Sequence, residues 1–470
     1  MNTQKLIVGC LLVAGITTAC HIPPREEVKS ALLPAPTLSK ADSLDTKQVA
    51  LDWIHFFPDS LLQTYIQQAI QENRELKITK EEVAARYAEI EGKRGEYLPQ
   101  VSPVVGMGVD KSSHFSRMGA LEEGVEMPGA RVFPKPLPDF AGGLQATWEV
   151  DIWKRLRNAR QAAIFRFQAS QEGQQWQTTQ VVAEVASLYY EIQTLDRLVA
   201  LIQQSVQVQD RVIELVHKQK ENARANQLAV SRLEAQRWNT QNLRYTFERE
   251  RVGLANQLRM LMGQWAGPIV TGPMDPNGLT LPSYPVDQWV RLRPDCRQAE
   301  QEVQAARMDV EVVRAQFLPS LTLRSGVGLQ AFRPDFLVRP EALALSLLGD
   351  MAAPWINRKA LMAQYQTAQA NQRKAIWAYD QTLLKAHQEI TTHWLSWKLL
   401  EKNKEAKSNE VRLLEQANGA AWQLYQNARA DYSEVLLTQR ETLEAQRELV
   451  EIEWKQWQTR IQLYRSLGGG

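Results

Sequence analysis

The chain has 470 residues, with 55 lysines and arginines against 53 aspartates and glutamates, so its net charge is only +2. A charge this close to balance gives no electrostatic reason to expect a nucleic-acid partner, which would need a basic face. Apolar residues make up 44% of the chain, a fraction that excludes a disordered protein of low hydrophobicity.

The start of the chain has the pattern of a bacterial export signal. Leu6–Ile16 is an apolar run that is too short to cross a membrane as a helix, and small residues then lead to Cys20. This ending resembles a lipobox, in which cleavage leaves the cysteine as the first residue and a lipid is attached to it. We therefore expect a covalent lipid on Cys20. In the alternative, a signal peptide is cleaved nearby and Cys20 carries no lipid. By resemblance to other lipoproteins, His21 beside the cysteine fits sorting to the outer membrane.

Most of the remaining chain is an internal duplication. The segment Glu81–Gln100 aligns without gaps to Gln301–Ser320, and we call the shift in numbering between them the early offset. A later segment, Asn222–Asn226, aligns with Asn427–Asp431 at a slightly smaller shift, here called the late offset. Matches in the same order, with consistent offsets, indicate two repeats of one structural unit.

The duplication predicts the organisation of the chain. The divisions are a signal peptide at 1–19, a lipidated N-terminal segment at 20–60, a first repeat at 61–266, a linker and equatorial region at 267–287, and a second repeat at 288–470. In each repeat we expect a helix, two strands and two long helices. The strands are predicted at about 100–111 and 143–151 in the first repeat and at about 320–332 and 342–349 in the second, and the long helices at about 154–263 and 358–466.

The four predicted strands alternate between apolar and polar residues. In the first, for example, Val101, Val105 and Val109 share one face. Strands of about ten residues with one apolar face suit an outer-membrane barrel or a soluble four-stranded sheet packed on helices. The export signal favours the barrel. Four strands in lipid would leave unpaired backbone groups at the sheet edges, and the smallest barrels need about eight strands. A barrel must then be shared between chains: two copies would give about eight strands and three about twelve.

Two long stretches of the chain contain no proline, which long helices require. None of the 21 prolines lies between Asp139 and Gly267 or between Trp355 and Gly470. From Val181 onwards, apolar residues recur at alternating steps of four and three, the seam of a coiled coil. The other faces are dense in glutamine, asparagine, glutamate and arginine. They could form a solvated outer surface or line a water-filled bore, and a shared barrel favours the bore.

No catalytic constellation is present in the sequence. The six histidines show no metal-binding spacing, and the chain has no nucleophile elbow, P-loop or dinucleotide-binding motif. Cys296 lies near the start of a predicted helix with no histidine nearby in sequence, and we expect a buried, inert thiol. The sequence therefore predicts neither an enzyme nor a metal site, and no cofactor apart from the lipid on Cys20.

Three segments carry a resemblance to a known family. They are Thr147–Arg155, Leu292–Glu300 with its arginine-proline-aspartate core, and Ala315–Ser320. Together with the duplication and the lipobox, they resemble the outer-membrane efflux factor (TolC-like) family, in the lipoprotein branch that serves tripartite RND-type efflux pumps. The match departs at Lys154, where the family usually has glycine.

This resemblance implies a fold and an assembly. The implied fold class is mainly α with a small β part: tandem-duplicated, long coiled-coil helices form an α-barrel, and four amphipathic strands per chain contribute to a shared 12-stranded transmembrane β-barrel. The implied assembly is a homotrimer, lipid-anchored in the outer membrane of a Gram-negative bacterium and extending into the periplasm. The implied partners are a periplasmic adaptor protein, an inner-membrane transporter and outer-membrane lipid, with no nucleic acid.

The resemblance also implies a periplasmic gate at the turn between the long helices. In the second repeat the matching turn is Tyr425–Glu434, in which Ala428 replaces the family's usual glycine. The implied gate residues are Tyr425, Arg429, Asp431 and Glu434. Copies of the two acidic residues near one axis would repel each other, so contacts of the tyrosine and the arginine would be needed to hold a closed state. A solvated loop is the alternative interpretation of these charges.

The function expected from these features is a passive trimeric exit duct for small toxic compounds, driven by an inner-membrane transporter. An outer-membrane duct for protein secretion is the alternative cargo. A lipid-anchored coiled-coil scaffold without a pore is the alternative from another class of protein.

Overall fold

The structure, a computed structural model, describes residues 52–125, 134–222, 225–272, 286–353, 358–427 and 429–469. Most of the predicted linker, residues 273–285, lies outside these ranges. The chain divides into two compact units. The first, here called the sheet unit, comprises Ala85–Phe167 and Gln301–Trp377. The second, the helical unit, comprises the described residues up to Ala84 together with Gln168–Glu300 and Ala378–Gly470.

The described part of the chain is mainly helical and contains a four-stranded sheet, which confirms the predicted fold class to that extent. The first half contains the helices α1 (Trp53–Phe56), α2 (Ser60–Glu72), α3 (Arg74–Glu96), α4 (Arg117–Gly124), α5 (Arg155–Glu221) and α6 (Gln227–Leu261). The second half contains α7 (Val286–Leu292), α8 (Pro294–Ala315), α9 (Arg358–Gln426) and α10 (Tyr432–Ser466). The strands are β1 (Gln100–Asp110), β2 (Leu137–Val150), β3 (Ser320–Ala331) and β4 (Leu343–Ala352).

The sheet has the order β1-β2-β3-β4, and every neighbouring pair of strands is antiparallel. Met107 lies opposite Phe140, Leu144 lies opposite Val327, and Val327 in turn lies opposite Leu345. Residues that lie opposite each other project from the same side of a sheet. The registers therefore bring the apolar sides of all four strands onto one face.

Two glycines face each other where β2 pairs with β3. Gly143 lies opposite Gly328. A Cβ atom on Gly143 would lie closer than 3.0 Å to the carbonyl oxygen of Val327 and to the Cα atom of Gly328. These are backbone atoms of a paired strand, so they cannot move aside as a flexible side chain would. The adjacent Gly142 projects from the other face, and a Cβ atom there would meet nothing within 4 Å.

Strand β2 begins earlier than the sequence predicts. It starts at Leu137, whereas the alternation of residue types placed its start at about 143. Pro138, two positions after another proline, is a signal against a strand. In the structure the first residues of β2, up to Asp139, pair with β1 alone. Pro138 therefore lies where β2 has one neighbour, a position at which a strand tolerates proline.

A buried aspartate turns the chain from β2 into α5. The side chain of Asp151 accepts hydrogen bonds from the backbone N–H groups of Leu156, at 3.1 Å, and Arg157, at 3.0 Å. Between them Lys154 has a φ of 62°, in the left-handed region that favours glycine. The position at which the resemblance implies glycine thus keeps a glycine-like backbone conformation with a lysine in place.

The coiled-coil seam predicted on the first long helix forms the core of the helical unit. Val185 and Ile192 of α5 are fully buried in a cluster that also contains residues of α2, α6 and α10. Tyr190 stacks on Trp457 of α10, with the ring centroids 4.0 Å apart. None of the helices in the described ranges combines the length and the apolar character that a membrane-crossing helix needs.

The two repeats start and end their final helices in the same way. Asn226 caps α6 through its side chain, and Asp431 caps α10. Gly263 follows α6 with a φ of 67°, and Gly468 follows α10 with a φ of 76°. Both pairs are related by the late offset of the sequence alignment. The repeats therefore share these backbone details as well as residue types.

Candidate functional site

The sheet unit exposes a large apolar surface, here called the apolar face. It consists of Val101, Pro103, Val105, Met107 and Val109 of β1; Pro138, Phe140, Gly142, Leu144, Ala146, Trp148 and Val150 of β2; Leu321, Leu323, Ser325, Val327, Leu329 and Ala331 of β3; and Leu343, Leu345, Leu347, Gly349 and Met351 of β4. Val105 is 91% exposed and Leu347 is 77% exposed. Such exposure argues against the alternative in which helices of this unit cover the sheet.

The opposite face of the sheet carries all the charged and amide side chains of its strands. Gln330 of β3 donates hydrogen bonds to the carboxylate of Asp139 on β2, at 3.0 and 3.1 Å. Arg324 lies 3.6 Å from the carboxylate of Asp350 on β4. Side chains of this kind require water or one another as partners. The sheet therefore has one face suited to lipid and one suited to water, the pattern of a transmembrane barrel wall.

Both outer strands of the sheet have an open edge. Among the strands of the described ranges, β1 pairs only with β2, and β4 pairs only with β3. Within the described residues, one row of backbone N–H and C=O groups on each outer strand has no strand partner. In water these groups bind solvent, but in hydrocarbon each unsatisfied group costs several kcal/mol.

The turns between the long helices meet in a small core of the helical unit, here called the tip cluster. Its members are Val212, Ile213, Val216, Ala225, Ala229, Val230 and Leu233 of the first repeat and Trp422, Tyr425, Tyr432 and Leu436 of the second. The valines and Leu233 are buried, whereas the aromatic residues are partly buried. The predicted gate turn of the second repeat therefore packs directly on the corresponding turn of the first.

Tyr425 links the turn of the second repeat to helix α5. Its hydroxyl donates a hydrogen bond to the Oε1 atom of Gln219, and its ring centroid lies 6.0 Å from that of Trp422. Burial, and then the negative charge of Asp431, raise the pKa of Tyr425 above its ordinary value. The hydroxyl therefore stays protonated and able to donate throughout the neutral pH range.

No signal in the sequence marks Gln219 as the partner of this tyrosine. At the late offset, the counterpart of Gln219 is Leu424 and the counterpart of Tyr425 is Lys220. The two repeats differ at both positions, so the duplication could not identify the pair.

The other three predicted gate residues are exposed on the same turn. Asp431 caps α10 and accepts a hydrogen bond from the N–H of Tyr432 at 2.6 Å. Arg429 donates through its backbone N–H to the carbonyl oxygen of Leu424 at 2.9 Å. Neither of these side chains, nor that of Glu434, forms an ion pair within the part of the chain that the structure describes. The structure thus brings the four residues together but joins only the tyrosine side chain to the first repeat.

Arg293, in the arginine-proline-aspartate segment, is a buried residue whose hydrogen bonds connect several parts of the helical unit. Its side chain is 1% exposed. The guanidinium donates to Asp295 at 2.7 and 3.0 Å, to Glu389 at 2.9 Å and to the carbonyl oxygen of Ser466 at 3.1 Å. Burial opposes the charge, but the two carboxylates outweigh it and hold the pKa of Arg293 above its ordinary value. The segment thereby connects the start of α8 to α9 and to the end of α10.

The first repeat contains a corresponding hydrogen bond, made by a different type of side chain. Asn73, the counterpart of Arg293 at the early offset, is buried and donates to the carbonyl oxygen of Leu261 at 3.1 Å. Leu261 is itself the counterpart of Ser466 at the late offset. In both repeats, a side chain at the same position therefore donates to the same backbone carbonyl position. The donor is an amide in the first repeat and a guanidinium in the second.

The two cysteines that the sequence singled out have different outcomes. Cys20, with its expected lipid, lies outside the described residues. Cys296 is buried, and burial followed by the charge of Asp295 raises the pKa of its thiol to about 12. A thiol with that pKa is protonated and unreactive at neutral pH. Across the described ranges there is no group of three or more histidine, cysteine, aspartate and glutamate side chains placed to hold a metal ion.

Comparison with known proteins gives one matching family and several similar proteins. The family described as "Outer membrane efflux protein" matches residues 65–264 and 286–469. The chain is 24% identical to "Cation efflux system protein CusC" of Escherichia coli (strain K12), with 100% of each chain covered. It is 26% identical to "Pyoverdine export outer membrane protein OpmQ" of Pseudomonas putida, covering 98% of this chain and 97% of that protein. It is 22% identical to "Probable outer membrane lipoprotein SilC" of Salmonella typhimurium, covering 100% and 98%.

The fold is also similar to that of solved structures. A crystal structure of CusC superimposes with a TM-score of 0.81 at 20% sequence identity, covering 96% of this chain and 100% of that chain. At this identity the likeness establishes the fold alone.

Proposed function

Because the chain belongs to the outer membrane efflux protein family, we propose that it is the passive exit duct of a tripartite efflux system, through which an inner-membrane transporter drives small toxic compounds. The family membership predicted from the sequence is confirmed, and so is localisation to the outer membrane. The proposed duct is a homotrimer whose copies share one transmembrane barrel. Its long helices line a water-filled bore in the periplasm.

The observation that carries this proposal is the two-faced sheet with two open edges. Its registers collect most of the apolar side chains on one face and the charged and amide side chains on the other, as a barrel wall requires. A four-stranded sheet cannot close on itself, and its edges are too costly to leave open in hydrocarbon. Further copies of the chain would pair those edges. Three copies would give about twelve strands, an even number within the range of outer-membrane barrels.

An exit duct needs partners that deliver cargo and supply energy. We assign these roles to a periplasmic adaptor protein and an inner-membrane transporter, as the family resemblance implies. Among the related proteins, CusC is named for cation efflux and OpmQ for pyoverdine export. Neither name refers to protein cargo, which supports efflux of small compounds over protein secretion.

A covalent lipid on Cys20 would give the protein a second attachment to the membrane besides the barrel. The lipobox-like segment and the name of SilC, an outer membrane lipoprotein, support this assignment. Replacement of Cys20 by serine should remove the lipid and yet leave the protein in membranes washed at alkaline pH, with detergent still needed for extraction. Mass spectrometry would verify the loss of the lipid. Release of the lipid-free variant without detergent would instead support the scaffold alternative.

The proposed gate is the tip cluster, held closed by the hydrogen bond between Tyr425 and Gln219. We expect Tyr425→Phe to raise the open probability of channels in planar bilayers. One lost hydrogen bond is worth about 1 kcal/mol, or roughly fivefold in the ratio of open to closed states. If three copies open together, the gain reaches roughly a hundredfold.

The matched control for this variant is Tyr432→Phe. Tyr432 lies in the same cluster, but its hydroxyl makes no hydrogen bond within the described part of the chain. Channels of the Tyr432→Phe variant should therefore have the open probability of the wild type. Equal open probability of the two variants would show that the hydrogen bond between Tyr425 and Gln219 does not hold the gate closed. The absence of any conductance, even after Asp431 and Glu434 are both neutralised, would count against a duct of any kind.

A further inference from the structure

The connection between β3 and β4, residues 332–342, lies at the end of the sheet away from the long helices. Helices α3 and α8 lead into β1 and β3, and α5 and α9 follow β2 and β4. All four junctions between helix and strand therefore lie at one end of the sheet, and the connection 332–342 lies at the other. In the proposed duct the long helices extend into the periplasm, so this connection lies at the outer surface of the membrane. The inference below rests on that proposed function.

Two short helical turns fold this connection compactly. Pro334–Phe336 and Pro340–Ala342 each form a 3₁₀ turn that begins with a proline. The backbone N–H of Arg339 donates to the carbonyl oxygen of Phe336 at 3.1 Å, and the N–H of Ala342 donates to the carbonyl oxygen of Arg339 at 3.1 Å. The connection therefore stays close to the strand ends. This is the depth of the lipid headgroups, a layer about 5–8 Å thick on each side of the hydrocarbon.

One aromatic ring in the connection contacts two guanidinium groups. The Cζ atom of Arg333 lies 5.1 Å from the ring centroid of Phe336, and the Cζ atom of Arg339 lies 4.7 Å from it. The ring of Phe332 packs edge-on against the same ring, with the centroids 5.3 Å apart. A cation above an aromatic face is attracted to it. Both arginine side chains are thus positioned before a ligand arrives, which reduces the entropy lost on binding.

The two arginines differ in their charge partners. Arg333 donates two hydrogen bonds to the carboxylate of Asp335, both at 2.9 Å. Arg339 is exposed and forms no ion pair within the part of the chain that the structure describes. Stacking on a ring occupies the flat face of a guanidinium and leaves the N–H groups along its edge free to donate. The connection therefore holds one positioned cation that has no acceptor of its own.

The side chains beside this cation suit a lipid as the ligand. The edge of a guanidinium matches two oxygens of a phosphate group. Val338, adjacent to Arg339, is 86% exposed, and an apolar side chain at this depth can contact acyl chains while its neighbour contacts a headgroup. We propose that Arg339 binds a phosphate group of a lipid in the outer leaflet, the phosphorylated glycolipid of Gram-negative outer membranes.

One carboxylate near the site opposes this binding. Glu341, two positions after Arg339, is exposed and has no ion pair among the described residues. Its negative charge repels a phosphate bound nearby. Two substitutions in the same short connection should therefore have effects of opposite sign: Arg339→Gln weakens lipid binding, and Glu341→Gln strengthens it.

Native mass spectrometry of the purified full-length protein in detergent measures this binding, with diphosphoryl lipid A as the probe. Arg339→Gln removes charge-assisted hydrogen bonds and should weaken binding by about tenfold or more. Phe336→Leu keeps both arginines but removes the ring on which they stack, and it should weaken binding roughly two- to fivefold. Equal elution of every variant in size-exclusion chromatography verifies that the assembly is unchanged.

Lys111→Gln is the matched control for the loss of charge. Lys111 follows β1 at the same end of the sheet, is exposed, and also lacks an ion pair within the described ranges. It stacks on no aromatic ring there, so its loss should weaken binding by about threefold at most. An equal loss in Lys111→Gln and Arg339→Gln would show that the lipid responds only to overall charge, and it would overturn the site.

Two further measurements separate the lipid from a free anion and the site from the duct. Excess inorganic phosphate should leave the lipid bound, and displacement by it would overturn the lipid as the ligand. Unchanged lipid binding in Arg339→Gln would overturn the site, while resistance to toxic compounds that still depends on the protein would leave the duct intact. Cells whose resistance does not change when the protein is deleted would contradict the duct, whatever the lipid measurements show.

Discussion

Replacement of Gly143 by valine should prevent the protein from assembling in the membrane. The new Cβ atom would lie closer than 3.0 Å to the carbonyl oxygen of Val327 and to the Cα atom of Gly328. Strands β2 and β3 would have to separate, and their backbone groups would lose partners that hydrocarbon cannot replace. We expect a cost of about 4 kcal/mol or more, among the largest that a single substitution produces. The amount of multi-copy protein recovered from outer membranes by size-exclusion chromatography should fall at least tenfold.

The adjacent glycine supplies a matched control for this effect. Gly142→Val adds the same side chain to the same strand, but on the apolar face, where nothing lies within 4 Å of the new Cβ atom. This variant should assemble like the wild type. Equal recovery of the two variants would show that the close approach of β2 and β3 is not a constraint. An equal fall in the recovery of both variants would indicate that valine in β2 prevents assembly for a reason other than this close approach.

Removal of the Arg293 side chain should strongly destabilise the helical unit. Arg293→Ala leaves the carboxylates of Asp295 and Glu389 and the carbonyl oxygen of Ser466 without the guanidinium that they share. Truncating one partner of a buried ion pair costs about 3–5 kcal/mol, because the remaining charge stays buried without compensation. Denaturant unfolding of the purified protein in detergent would measure the loss. Trp176, whose ring lies 5.0 Å from the guanidinium, provides a fluorescence signal near the site.

Arg297 is the control for this second variant. It also bonds a carboxylate, that of Glu172 at 2.8 Å, but its side chain is 35% exposed. Water can replace the lost partner there, so Arg297→Ala should cost at most about 1 kcal/mol. A similar loss in both variants would mean that charge, rather than burial, determines the cost. A negligible loss in Arg293→Ala would show that the contacts of this guanidinium do not stabilise the helical unit.

Features that repeat along the chain could be predicted from the sequence. Val105 on β1 and Val185 on α5 each belong to a pattern in which every second or every third or fourth residue has the same surroundings. The pattern holds in the structure, where Val105 lies on the apolar face and Val185 lies in the core. The duplication could be predicted for a similar reason, since its offsets recur at many positions.

Contacts between distant and dissimilar residues could not be predicted. Tyr425 and Gln219 lie in different repeats, and neither belongs to a periodic set that would single it out. Local signals also misled at the start of β2, where Pro138 argues against a strand. The strand tolerates this proline because β2 has one neighbouring strand at that point. How many neighbours a residue has depends on how whole strands pair, which a local sequence pattern does not indicate.

The unequal connections of the two hairpins have a consequence for symmetry. The connection 111–136 is more than twice as long as 332–342, so the repeats differ at the outer end of the sheet while their strands and helix ends stay equivalent. In the proposed ring of three copies, the barrel wall would look nearly the same after each sixth of a turn, whereas these connections would repeat only after each third. A ligand that binds the wall would find six near-equal sites, and one that binds these connections would find three.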